Sequence, residues 1–147
     1  MKIILKLCLL ISLASTQAMA MAEQKSFKGL DLSGEYTCTG EDQKDGKFEA
    51  TMTLTLDKEH SNETFAGYKF QLKAHDGTLY SGSATGNSAN LAITFNNNDV
   101  SKKDFGTGIG KVVKNKSGKI QIEKFYYEPE YKGGDHGTEI CVRTKIS

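Results

Sequence analysis

The stretch "YYEPEYKGGDHGTEICVRTK", residues 126–145, brings tyrosines, carboxylates and a histidine in front of a single cysteine. His75 and His136, with Asp76, Glu128, Glu130 and Asp135, are side-chain types that ligate zinc or calcium. Their spacing argues against it: there is no paired-histidine motif, no set of coordinating cysteines and no D-x-D-x-D-G loop. Solvated loop residues are the expected role, with no metal and no cofactor. "GTGIGK", residues 106–111, echoes a glycine-rich phosphate loop, but Val112 stands where such a loop needs Ser or Thr, and no helix follows. No serine, histidine and acid arrangement is recognisable, so the chain reads as non-catalytic.

The remaining reactive side chains are cysteines. Residues 1–20, "MKIILKLCLLISLASTQAMA", read as a secretory signal peptide: Lys2 and Lys6 flank a short apolar run, and Ala18 and Ala20 form the exit pattern. Cleavage is expected after Ala20, with Ala22 nearly as good. The run is too short for a membrane span, and Cys8 lies inside it rather than at the cleavage site, so no membrane anchor is expected. Export leaves Cys38 and Cys141 as the mature cysteines, and an oxidising compartment predicts a disulfide between them. Without Lys2 and Lys6, the 19 basic residues become 17 against 18 acidic, a net charge near −1. No basic block survives to drive nucleic-acid or anionic-membrane binding. A secreted or periplasmic monomer of one domain is expected: an N-terminal extension over 21–32 and a β-domain over 33–147.

The elements that must position these residues are strands. "KFEATMTLTLD" alternates Phe48, Ala50, Met52, Leu54 and Leu56 with Lys47, Glu49, Thr51, Thr53 and Thr55. "YKFQLKA" alternates Tyr68, Phe70 and Leu72 with lysines and Gln71, and "NLAITF" gives Leu91, Ile93 and Phe95. Such alternation marks half-buried antiparallel strands. Turn signals separate eight runs, near 33–39, 47–57, 65–74, 78–85, 90–95, 105–114, 118–127 and 138–145. The fold class is all-β: a single antiparallel up-and-down eight-stranded barrel, first and last strands adjacent and disulfide-linked. Closure removes both exposed edges. Setting Cys38 opposite Cys141 puts Tyr36 opposite Arg143, which predicts a cation–π pair. The glycines of "FGTGIGKVV" and an apparent change of phase in "IEKFYYE" predict glycine kinks or bulges there.

"LSGEY", Leu32 to Tyr36, resembles the G-x-W opening of calycins, the lipocalin and avidin group, with Tyr36 in the tryptophan's place. That resemblance implies a barrel in which a basic residue of the last strand, here Arg143, packs on this ring. Biotin-binding avidins line their pocket with tryptophans, and this chain has none. "YTC", Tyr36 to Cys38, and "YSGSATG", Tyr80 to Gly86, are similar to the opening strand and small-residue recognition loop of bacterial C-type lysozyme inhibitors. The second resemblance implies recognition by Ser81 and Ser83.

Strand direction puts the loops at 41–46, 75–77, 96–104 and 128–137 at one rim, away from both termini, with 128–137 the longest. That rim is the expected working end. Candidate binding residues are Tyr68, Phe70, Phe95, Tyr126, Tyr131, His75 and His136. Two partner classes follow. A hollow interior would take a small apolar or amphipathic molecule. A filled one would act through its rim on a secreted or host protein, as an inhibitor of a hydrolase such as lysozyme or a protease. Met52, Leu54 and Phe70 argue for a filled interior; Gly106, Gly108 and Gly110 argue for space.

Overall fold

The computed structural model describes residues 25–146; the leader expected over 1–20 and its cleavage site lie outside them. The chain forms eight antiparallel strands: β1 (Gly34–Asp42), β2 (Gly46–Asn62), β3 (Phe65–Ala74), β4 (Leu79–Gly86), β5 (Asn90–Asn97), β6 (Phe105–Lys114), β7 (Ile120–Glu128) and β8 (Asp135–Lys145). Each pairs with its neighbours in sequence, and β1 also pairs with β8, closing the barrel. Every strand therefore has two hydrogen-bonding neighbours, and no edge is left to template another chain.

Cys38 and Cys141 face each other across β1 and β8 with a Cα separation of 4.0 Å and form a disulfide. The same register places Tyr36 opposite Arg143. The ladder shifts just below this point, between Glu35 and Tyr36. Gly34 has φ +142°, and a Cβ there would run into the Lys145 carbonyl oxygen. The glycine of "LSGEY" is thus required by its backbone.

Alternation sends one face of each strand inward. Tyr36, Met52, Leu54, Phe70, Leu91, Ile93 and Ile122 are fully buried. The end carrying the N-terminus is closed by residues 25–33. Leu32 is buried against the core, its N–H donates to the Tyr68 hydroxyl (3.1 Å), and its carbonyl accepts the Tyr36 hydroxyl (2.6 Å). Lys28 and Gly29 donate N–H groups to the Glu63 carbonyl. Ser33 accepts from the Leu56 N–H at 2.9 Å. What reads as an extension in the sequence is here the floor of the barrel.

Three local expectations need correction. Residues of β7 do not change phase: Ile120, Ile122, Lys124, Tyr126 and Glu128 all face inward, or nearly so, in strict alternation. The apolar pattern breaks because Lys124 and Glu128 are buried. The β6 glycines make no bulge, since β6 pairs with β7 in continuous register. They also leave no space: a Cβ on Gly106 would lie 2.6 Å from the Phe95 ring, and one on Gly110 would lie 2.7 Å from Ile122. Large neighbours already fill the volume a side chain would need. Finally, β8 starts at Asp135, so the rim loop expected over 128–137 shrinks to 129–134, and the β5–β6 connection at 98–104 is the longest there.

Candidate functional site

The open rim leads into a cavity of about 570 Å³, within the range of small-molecule sites. Its walls come from the inward faces of the strands near their rim ends. Phe48 (β2), Phe70 and Leu72 (β3), Tyr80 (β4), Phe95 (β5) and Tyr126 (β7) supply the apolar surface. The rings contact one another edge to face: Phe95–Tyr126 and Tyr80–Phe95 at 5.9 Å between centroids, and Phe48–Tyr126 at 6.5 Å. Such edge-to-face pairs are the favoured aromatic geometry.

A buried ion pair lies at the cavity's inner end. Lys124 and Glu139 are cross-strand partners of β7 and β8, their side chains 3% and 1% exposed, and the ammonium contacts the carboxylate Oε2. The Lys124 nitrogen also sits 5.5 Å from the ring centres of Phe70 and Tyr126. The opposite charge and two π faces together offset the cost of removing an ammonium from water.

Nearer the rim, carboxyls dominate. Asp104 accepts the Tyr80 hydroxyl (2.7 Å) and the Asn97 amide (3.0 Å) on Oδ2. Its Oδ1 is buried and accepts no N–H or hydroxyl donor; the Glu128 carboxyl lies beside Asp104. Burial and the Asp104 charge push the Glu128 carboxyl up to about 8. Across the rim, burial and the neighbouring Asp42 carboxyl push Asp135 upward. Asp42 moves down despite its own burial, because the N–H groups of Asp45 and Lys44 donate to it. Tyr126 donates to Asp42 at 3.2 Å, and burial and the surrounding carboxylates raise its phenol.

The residues singled out by sequence divide. Phe70, Phe95, Tyr126 and Tyr131 line the cavity, Tyr131 donating from the rim to Asp45 Oδ2 at 2.9 Å. Tyr68 does not: it is buried at the opposite end, bonded to Leu32. His75 and His136 are exposed and do not line the cavity. Arg143 bridges the Asp31 and Ser33 carbonyls at 3.0 and 3.4 Å and approaches the Tyr36 phenol group. Among the described residues the cation–ring contacts are those of Lys124 and Lys132, so the pairing of Tyr36 with Arg143 is polar. Burial raises the Tyr36 phenol to about 12. "YSGSATG" forms β4, not a loop, and Ser83 bonds Thr94 on the outer wall.

Asp42, Asp45 and Asp135 bring carboxylate oxygens within 4.8 Å of one another, the rim's one metal-like grouping among the described residues. Asp45 is already taken by the Lys132 ammonium and the Tyr131 hydroxyl. Sequence reasoning missed Lys124, Glu139, Asp104, Asn97 and Tyr80. Counting back by two from Cys141 reaches Glu139, Gly137 and Asp135, which share its face. The bridge itself was the signal that these acids point inward.

No family model and no curated protein matches the chain. Among solved structures it is similar to EF1p2_mFAP2b bound to DFHBI, with a TM-score of 0.52 and 16% identity over 77% of this chain and 94% of that one. At that identity the likeness shows the shared fold alone, an eight-stranded antiparallel barrel.

Proposed function

We propose that this protein is an exported, non-catalytic barrel that binds a small amphipathic molecule in the rim cavity. The single observation that carries the reading is the cavity: about 570 Å³, aromatic on its walls and lined at its mouth by the rim residues Asp45, Lys102 and Tyr131. Pockets of this size with few, convergent polar groups are the usual form of small-ligand sites. A barrel filled throughout would have to act through its rim; here the floor is filled and the rim end is hollow. The neighbour with the same fold was solved with DFHBI bound, which supports the reading without identifying a ligand.

The test uses N-phenyl-1-naphthylamine, which fluoresces when it enters an apolar site. Saturable enhancement by the wild-type protein is expected, and its loss in Leu72→Trp, which fills the cavity from β3. Equal enhancement by both would place binding elsewhere, on the outer wall. Native mass spectrometry of protein purified from its own source should show a co-purifying small molecule.

A further inference from the structure

We propose that the ligand taken by the rim cavity is an organic cation, an ammonium or amidinium group carried on an apolar or aromatic body. This rests on the binding reading above and adds the ligand's charge.

Three observations carry it. The first is charge. Six of the lining side chains are carboxylates and two are lysines. Glu139 is matched by Lys124 and Asp45 by Lys132, and Asp76 and Lys102 sit on the exposed rim, so the unmatched carboxyls inside are Asp42, Asp104 and Glu128.

The second is the pair formed by Asp104 and Glu128. Asp104 is 4% exposed, and its Oδ1 finds no donor among the surrounding N–H and hydroxyl groups. Two adjacent buried carboxyls need one positive centre between them, either a proton or a cation from outside. The third is the wall. The protein already seats one ammonium, that of Lys124, against Phe70 and Tyr126 with a carboxylate behind it. Tyr80 and Phe95 continue that wall past Asp104 and offer a second cation the same combination of ring and carboxylate.

The proton balance follows. The groups facing Glu128 are Asp104 before β6, Asp42 on β1 and Asp135 on β8, all acidic, with the phenols of Tyr80 on β4 and Tyr126 on β7. At neutral pH the pair holds a proton on Glu128. A cation entering between the carboxyls displaces that proton to solvent. Binding therefore releases up to one proton at pH 7, and affinity rises with pH as Glu128 ionises, by roughly five- to tenfold between pH 7 and 8.5. The Lys124–Glu139 pair, whose charges already match, does not change.

The experiment compares 1-naphthylmethylamine, 1-naphthalenemethanol and 1-naphthoate by calorimetry at pH 7 in buffers of differing ionisation enthalpy. The amine is expected to bind at least tenfold tighter than the alcohol. Its apparent enthalpy should vary with the buffer, reporting proton release, while that of the alcohol should not. Glu128→Gln, nearly isosteric, should abolish the buffer dependence, its fold checked by circular dichroism. The wild-type pH series between 7 and 8.5 tests the same point without any substitution. An alcohol that binds as tightly as the amine, or a naphthoate that binds tighter, overturns the cation assignment and leaves the cavity reading standing. If none of the three binds, both readings fall.

Discussion

Lys124 is the residue on which the interior turns. Its ammonium is buried, paired with Glu139 and flanked by two rings. Removing one partner from a buried ion pair strands the other charge and costs about 3–5 kcal/mol, whereas replacing both is often neutral. Lys124→Met should therefore lower stability by about that amount in urea titrations, and adding Glu139→Gln should restore most of it. A double variant as unstable as the single would mean the pair is not the coupled unit described. Glu128 gives a second residue-scale prediction. Its ordinary value is 4.5, and burial with Asp104 raises it to about 8. The folded state then holds more protons than the unfolded state between those values. Its contribution to stability is full below about pH 4.5 and is lost as pH rises through about 8. Asp135, raised in the same direction, adds to the slope. The melting temperature should fall from pH 5 to pH 8.5, and Glu128→Gln should flatten the fall. An equally steep fall in the variant would place the titrating group elsewhere.

At the scale of elements, β6 and β7 show what was and was not legible in the sequence. Strands β2, β3 and β5 announce themselves, because their central inward positions (Ala50, Met52 and Leu54; Tyr68 and Phe70; Leu91, Ile93 and Phe95) are apolar and the residues between them are polar or small. The β1–β8 register was legible from two cysteines. In β7 the inward row contains Lys124 and Glu128, while Phe125 and Tyr127 point to solvent, both about half exposed. Periodicity of hydropathy fails wherever a barrel buries charge and exposes rings. The β6 glycines misled for a related reason: absence of a side chain looks like space only until the neighbours are known. Gly106→Ala tests this. The new methyl would press on the Phe95 ring and the Tyr127 carbonyl, both 2.6 Å away. Overpacking of this kind costs about 1–3 kcal/mol. Since Phe95 lines the cavity, ligand affinity should fall with stability. A neutral substitution would show that Phe95 has room to retreat.

At the scale of the whole molecule, the barrel is a meander whose seven sequential pairings are local and whose eighth, β1 with β8, closes the circle. That last pairing joins residues 103 apart in sequence, and the disulfide sits in it. Loop closure over such a length is the costliest contact in the fold entropically. A bridge there restricts the unfolded chain by about 4–5 kcal/mol in the chain-entropy model. Both cysteines are fully buried, so Cys38→Ala with Cys141→Ala leaves small apolar side chains in place and removes chiefly the constraint. The double variant should melt on the order of 10–20 °C lower while keeping its strand circular-dichroism signal and its fluorescence response to N-phenyl-1-naphthylamine. The cavity is lined from every strand except β6, and its aromatic wall comes from β2, β3, β4, β5 and β7. Losing the bridge should therefore weaken closure without reshaping that wall. Unchanged melting would mean that the β1–β8 hydrogen bonds alone determine closure. Loss of the fluorescence response with the strand signal intact would mean that the cavity depends on the seam being locked.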